Sequence, residues 1–214
     1  MLLFQGAVRQ FLLLAIFVTL GLCSSGCSFG GGRANQPRYS SNAGTDALRQ
    51  YDTNNDGSIS GDELNLASEL KASLAQIDLD NDKRLTAEEI NARVKEWQNS
   101  KVAEMPVRCK VTLNGYPLKD ADVRFIPVDF LGTELSPAGG TTSESGVAVI
   151  SMPKEKLSDS RYPGVACGWY KISVTSSIKK IPSLYNSETN LGCEVAMNAD
   201  WVTVGEIALK LVTR

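Results

Sequence analysis

Two twelve-residue runs constrain this chain more than any other feature in it. Residues 52–63 read Asp-Thr-Asn-Asn-Asp-Gly-Ser-Ile-Ser-Gly-Asp-Glu, and residues 78–89 read Asp-Leu-Asp-Asn-Asp-Lys-Arg-Leu-Thr-Ala-Glu-Glu. Both runs put oxygen-bearing side chains at positions 1, 3, 5, 9 and 12, with an aliphatic residue at position 8. This spacing lets a short loop fold its oxygens round a hard cation.

The flanking residues have helical periods. Thr45-Asp46 can cap a short helix ending at Tyr51, and Leu66, Leu70, Leu74 and Ile77 fall near helical spacing between the loops. After the second loop, Ile90, Val94 and Trp97 share one helix face. A single straight helix over residues 64–77 would span about 21 Å and hold the loops apart. A break near Asn65 instead lets them pair, with Ile59 facing Leu85, and the break is expected because an isolated loop buries little apolar surface.

The first loop resembles an EF hand throughout. On that resemblance Asp52, Asn54 and Asp56 offer side-chain oxygens, Ser58 its carbonyl, Ser60 a direct or water-mediated contact, and Glu63 a bidentate carboxylate. The second loop offers Asp78, Asp80, Asp82, the Arg84 carbonyl, Thr86 and Glu89. An all-oxygen shell with a flexible bidentate carboxylate suits Ca²⁺ better than Mg²⁺, so two Ca²⁺ sites are expected. Gly57 provides the sharp turn in the first loop, whereas Lys83 stands there in the second at a cost of about 1 kcal/mol. Sequence does not rank the two loops. An acidic, Asx-rich helix cap without metal is the competing reading, and its occurrence twice in tandem argues against it. The helices show no Met enrichment of the kind that lines a groove opening on ion binding, so constitutive structural calcium is expected.

Residues 1–26 read as a signal peptide. Arg9 precedes an apolar run from Phe11 to Cys23, shorter than a membrane span, and Ser24-Ser25-Gly26 leads to Cys27. This ending resembles a bacterial lipobox, although Ser24 stands where that family usually has Leu. The resemblance implies acylation of Cys27 and a membrane-anchored lipoprotein of the bacterial cell envelope, at the periplasmic or outer surface. Plain secretion is the alternative. Residues 27–43, rich in Gly, Ser and Asn, read as a flexible tether with a reach of roughly 20 Å.

Composition excludes several chemistries. The chain has 214 residues, no histidine and a formal charge of −2. Ser-His-Asp and Cys-His catalysis and His-ligated zinc are therefore out, and no basic field attracts nucleic acid. Acidic pairs such as Glu88–Glu89 belong to the loops, and no enzyme is expected. Cys109, Cys167 and Cys193 remain beyond Cys27. A Cys167–Cys193 disulfide is favoured, with three separately buried thiols as the alternative.

From residue 105 the pattern becomes β. Val107–Gly115, Asp122–Val128, Gly146–Ser151, Trp169–Thr175, Cys193–Met197 and Trp201–Leu211 read as short strands between Gly, Pro and Asn turns. The predicted fold class is α+β: a small all-α pair of loop–helix units over residues 44–100, then an all-β antiparallel sandwich over 105–214. Asn114-Gly-Tyr-Pro-Leu-Lys-Asp-Ala-Asp-Val-Arg-Phe-Ile-Pro127 resembles the opening of carboxypeptidase-regulatory-like domains, which are transthyretin-like sandwiches. Thr142-Ser-Glu-Ser-Gly-Val-Ala, Gly168-Trp-Tyr-Lys-Ile-Ser-Val and Ile181-Pro-Ser-Leu-Tyr-Asn follow in that family's order. The resemblance implies a fold and no catalytic residues.

Two functional expectations follow. The first is a calcium-binding, envelope-anchored lipoprotein of structural or adhesive kind. The second makes the sandwich a glycan- or protein-binding module and the helical pair its calcium-stabilised spacer. Trp169, Tyr170 and Trp201 could serve such a module as an aromatic platform, or serve as core.

Overall fold

The structure is a computed structural model describing residues 36–213. The expected export segment, Cys27 and the first part of the expected tether lie outside the described residues. Among the described residues no helix is long and apolar enough to cross a membrane.

The helical part opens with α1 (Ala43–Tyr51). Its start lies two residues before the expected Thr45-Asp46 cap. The Gly44 amide is satisfied instead by Asn91 Oδ1 at 2.9 Å, and Asp46 turns outward to Arg49. After the first loop come α2 (Glu63–Leu66), α3 (Ser68–Ala72) and α4 (Leu74–Ile77). The segment between the loops therefore breaks at Ala67 and Ser73, which leave helical geometry. These bends bring β1 (Ile59–Ser60) against β2 (Arg84–Leu85), with Ile59 opposite Leu85 in an antiparallel pair. Both side chains are fully buried. α5 (Ala87–Ser100) starts with a complete capping box between Thr86 and Glu89.

Two four-stranded sheets follow. The strands of this region, in chain order, are β3 (Glu104–Met105), β4 (Val107–Leu113), β5 (Tyr116–Pro117), β6 (Ala121–Pro127), β7 (Ala138–Thr141), β8 (Val147–Ile150), β9 (Val165–Ala166), β10 (Gly168–Ser176), β11 (Leu191–Val195) and β12 (Ile207–Leu211). One sheet runs β11-β10-β6-β7; the other runs β12-β4-β5, with β8 also on β4. β3 and β9 form a separate pair. Pairing is antiparallel except between β12 and β4, which are parallel. Alternate residues of β4, β6 and β10 are buried: Val107, Cys109 and Val111; Val123 and Phe125; Tyr170, Ile172 and Val174. This period of two fills the β core.

The expected last strand splits. Asp200–Val204 forms a short helix, α6, that ends at Gly205 with φ +85°, and the strand resumes at Ile207. Trp201 donates its indole N–H to the Glu194 carbonyl at 2.7 Å, which fixes that turn despite its β-branched residues.

The helices cover the outer face of the first sheet. Trp169 points away from the β core, yet it is fully buried under Trp97 and Phe130, with ring centroids 4.4 and 5.9 Å away. Helices and sheets thus share one continuous hydrophobic core within one compact unit. The change of secondary structure near residue 100 is not a gap in packing. Residues 36–42, expected as tether, are also held. Gln36 donates to the Trp97 and Val102 carbonyls, both at 3.1 Å, and Tyr39 donates to the Cys167 carbonyl at 2.9 Å.

The expected Cys167–Cys193 disulfide is absent: Cys109, Cys167 and Cys193 are free and buried. Register explains this. Cys193 lies opposite Tyr170 and shares its core-facing side, whereas Cys167 precedes Gly168 by one residue, on the alternate side beneath the helices. Burial pushes the Cys167 thiol up to about 11 and Cys109 up to about 12, so both are inert apolar groups.

Candidate metal centre

The two loops are built alike, position by position. Asp52 accepts from the Asp56 and Gly57 amides at 3.1 and 2.9 Å; Asp78 accepts from the Asp82 and Lys83 amides at 3.2 and 2.9 Å. Asn54 and Asp80 at position 3 each accept the amide of position 5. Asp56 and Asp82 at position 5 each accept the amide of position 7. Glu63 spans its loop from the Thr53 amide (2.8 Å) to the Ser60 amide (3.1 Å). Glu89 does the same from Leu79 (3.0 Å) to Thr86 (2.9 Å). Each glutamate starts or enters a helix, so its rotamer is fixed by α2 or α5 while its carboxylate closes the loop.

The turn conformations also match. Asn55 and Gly57 have φ +57° and +85°; Asn81 and Lys83 have φ +62° and +64°. Lys83 thus adopts the left-handed conformation that favours glycine.

The donor set of the second loop fits a cation. Asp78, Asp80 and Asp82 can each present a carboxylate oxygen with all three within 4.8 Å of one another. Ligands about 2.4 Å from a common Ca²⁺ can be no farther apart than this. Electrostatics distinguishes the loops. The Asp82 amide pulls the Asp80 carboxyl down, but desolvation and the charges of Asp82, Glu89 and Asp78 outweigh it and hold Asp80 above the usual range. In the first loop, hydrogen bonds from Ser58 and then from Arg84 hold Asp56 low. The Ser60 amide does the same for Glu63, helped by Asn54 and Thr53.

Of the ligands expected from sequence, the structure brings Asp78, Asp80 and Asp82 together as such a cluster, while Asp52, Asn54, Asp56, Glu63 and Glu89 are tied into their loops by backbone amides. Ser58 adds a contact not foreseen, its hydroxyl donating to Asp56 at 2.9 Å. Ser60 and Thr86 contribute amides to the closing glutamates, and Thr86 adds its hydroxyl to Glu89 at 2.8 Å. The Arg84 side chain was also not foreseen: it crosses to the other loop and reaches Asp56 at 2.8 Å. The spacing within a loop carries no signal for a contact between loops.

Other candidates resolve as structure. Trp169 and Tyr170 are fully buried, so they form no platform, and Trp201 is half-buried. Glu194 is buried with Arg93, whose Nε lies 2.6 Å away, and it also accepts from the Trp97 indole at 2.8 Å.

Fold and site together define a helical region with an EF hand, followed by a β-rich region of largely antiparallel sheets. The EF hand family model matches residues 45–66, which cover most of α1, the first loop and α2. No curated protein and no solved structure matches the chain.

Proposed function

We propose that this protein binds Ca²⁺ in both loops as permanent structural ions, which set the helical layer against the sheets. The observation that carries this reading is the matched cage. In each loop the position-12 glutamate bridges the amides of positions 2 and 9, although the family match covers only the first loop. Coverage of the helical apolar face supports a structural over a signalling role. The face that would open to a target already rests on Trp169 and β11.

The wider reading is an exported, envelope-anchored lipoprotein, acylated at Cys27, with a structural or adhesive and non-enzymatic role. It rests on the residues around the expected cleavage point. Its β region is read as carboxypeptidase-regulatory-like. In support, the residues that carry that resemblance, Leu118, Ala121, Val123 and Phe125, are buried, and Asn114-Gly115 turns with φ +52° and +85°.

Calorimetric titration of Ca²⁺ into the purified protein tests the metal reading, with Glu63→Gln and Glu89→Gln in parallel. Two sites are expected, one lost with each glutamate. Absence of heat up to millimolar Ca²⁺, with an unchanged thermal midpoint, would reject it.

A further inference from the structure

Position 5 of the two loops is chemically unequal. A carboxylate has about four acceptor sites on its two oxygens. Asp56 uses all of them. Its Oδ1 takes the Ser58 amide at 3.1 Å and the Ser58 hydroxyl at 2.9 Å. Its Oδ2 takes Arg84 Nη2 at 2.8 Å and Asn54 Nδ2 at 3.2 Å. Asp82, the counterpart, accepts only the Arg84 amide at 2.7 Å among the described residues. The same residue therefore serves both loops in opposite senses. Its backbone orders Asp82, and its guanidinium occupies Asp56.

We infer that Arg84 is a resident counter-cation of the first loop, one that an entering Ca²⁺ must displace from Asp56 and that lowers the Ca²⁺ affinity of that loop. This inference rests on the calcium reading above. An ion entering the first loop needs an Asp56 oxygen. Of the four donors there, Arg84 alone carries positive charge, so it alone is repelled across the shared oxygen by the incoming ion. Pairing of Ser60 with Arg84 across β1–β2 fixes the position from which the guanidinium reaches over. The contact is partly open to solvent, with side-chain exposures of 43% for Arg84 and 35% for Asp56. Displacement is therefore a modest and salt-sensitive cost that never blocks the site.

The test isolates each loop and then removes the guanidinium. Ca²⁺ affinity is measured by calorimetry at low salt for Glu89→Gln, which leaves the first loop, and Glu63→Gln, which leaves the second. Each is repeated with Arg84→Gln and Arg84→Lys added. Glutamine keeps the backbone carbonyl and amide and loses the charge. Arg84→Gln is expected to tighten the first loop by about threefold, the scale of an exposed ion pair, and the second by much less. Arg84→Lys should stay near the parent, and the gain from Arg84→Gln should shrink as NaCl rises past about 0.15 M. A first loop that weakens or does not respond, or equal changes in both loops, would each overturn the inference while leaving the calcium reading intact. No Ca²⁺ binding by the parent protein would overturn both. Circular dichroism of each variant confirms the fold, and the salt series on the single variants gives a reading independent of Arg84 substitution.

Discussion

Gly192 of β11 lies directly beneath the backbone of Glu69 in α3: a Cβ on Gly192 would stand 2.3 Å from the Glu69 nitrogen and 2.5 Å from its Cα. The helical layer meets the sheet here through main chain, with no flexible side chain to give way. Gly192→Ala should therefore lift α3 from β11 and destabilise the protein by about 3 kcal/mol, the upper range for overpacking. A urea midpoint unchanged from wild type would show that the two layers are not in this contact.

The Arg93–Glu194 pair makes a second prediction. Both side chains are 2% exposed, and Glu194 Oε2 has no partner among the described residues. Arg93→Met should cost about 3–5 kcal/mol because it leaves a buried carboxylate unpaired. Adding Glu194→Leu should recover much of that loss. A double variant no more stable than Arg93→Met, in equilibrium denaturation, would contradict this account.

Glu69 links stability to pH. It is fully buried, accepts the Tyr51 hydroxyl at 2.8 Å, and burial raises its pKa above the usual 4.5 although Lys171 pulls the other way. The folded state thus favours the protonated acid. Below the unfolded pKa this group costs nothing. As pH rises from there through the raised folded value, the unfolded chain ionises first and stability falls. Unfolding of wild type and Glu69→Gln from pH 4 to 8 should show the difference moving in favour of the glutamine variant as pH rises. A difference independent of pH would remove the link.

Lys83 provides a fourth. With φ +64° it carries strain that Gly57 escapes at the same loop position. Lys83→Gly should relieve about 1 kcal/mol and tighten Ca²⁺ binding at the second loop by about fivefold, read by calorimetry on the Glu63→Gln protein. Weaker binding would mean that the lysine is adapted to its turn.

The loops were legible in the sequence because their chemistry is local: oxygens at fixed intervals meet whatever the surroundings. β4, β6, β8 and β10 were legible for the same reason, since β4 and β6 alternate buried and exposed residues, whereas β7, Ala138-Gly-Gly-Thr, was missed because its two glycines carry no β preference. Residues 201–204 read as strand because Val202, Thr203 and Val204 have β preference. Gly205 and the Trp201 indole bond override that preference through contacts that no local window contains. Trp169 is the same case. Its position along β10 assigns it to the outer face, and only the helices arriving from about 70 to 100 residues upstream make that face interior. The disulfide expectation failed on parity: nearness along the β region did not reveal that Cys167 and Cys193 occupy opposite sides of a sheet.

The anchoring of residues 36–40 has a mechanical consequence. Ahead of α1 in the chain, the side chains of Gln36 and Tyr39 and the Ser40 amide tie to the carbonyls of Trp97, Val102, Cys167 and Leu131. Tension applied from the N-terminal side would be carried into the sheet and the end of α5 as shear across these bonds. It would reach α1 and the first loop only after they part. The two loops are thereby isolated from traction on the chain that leads into them.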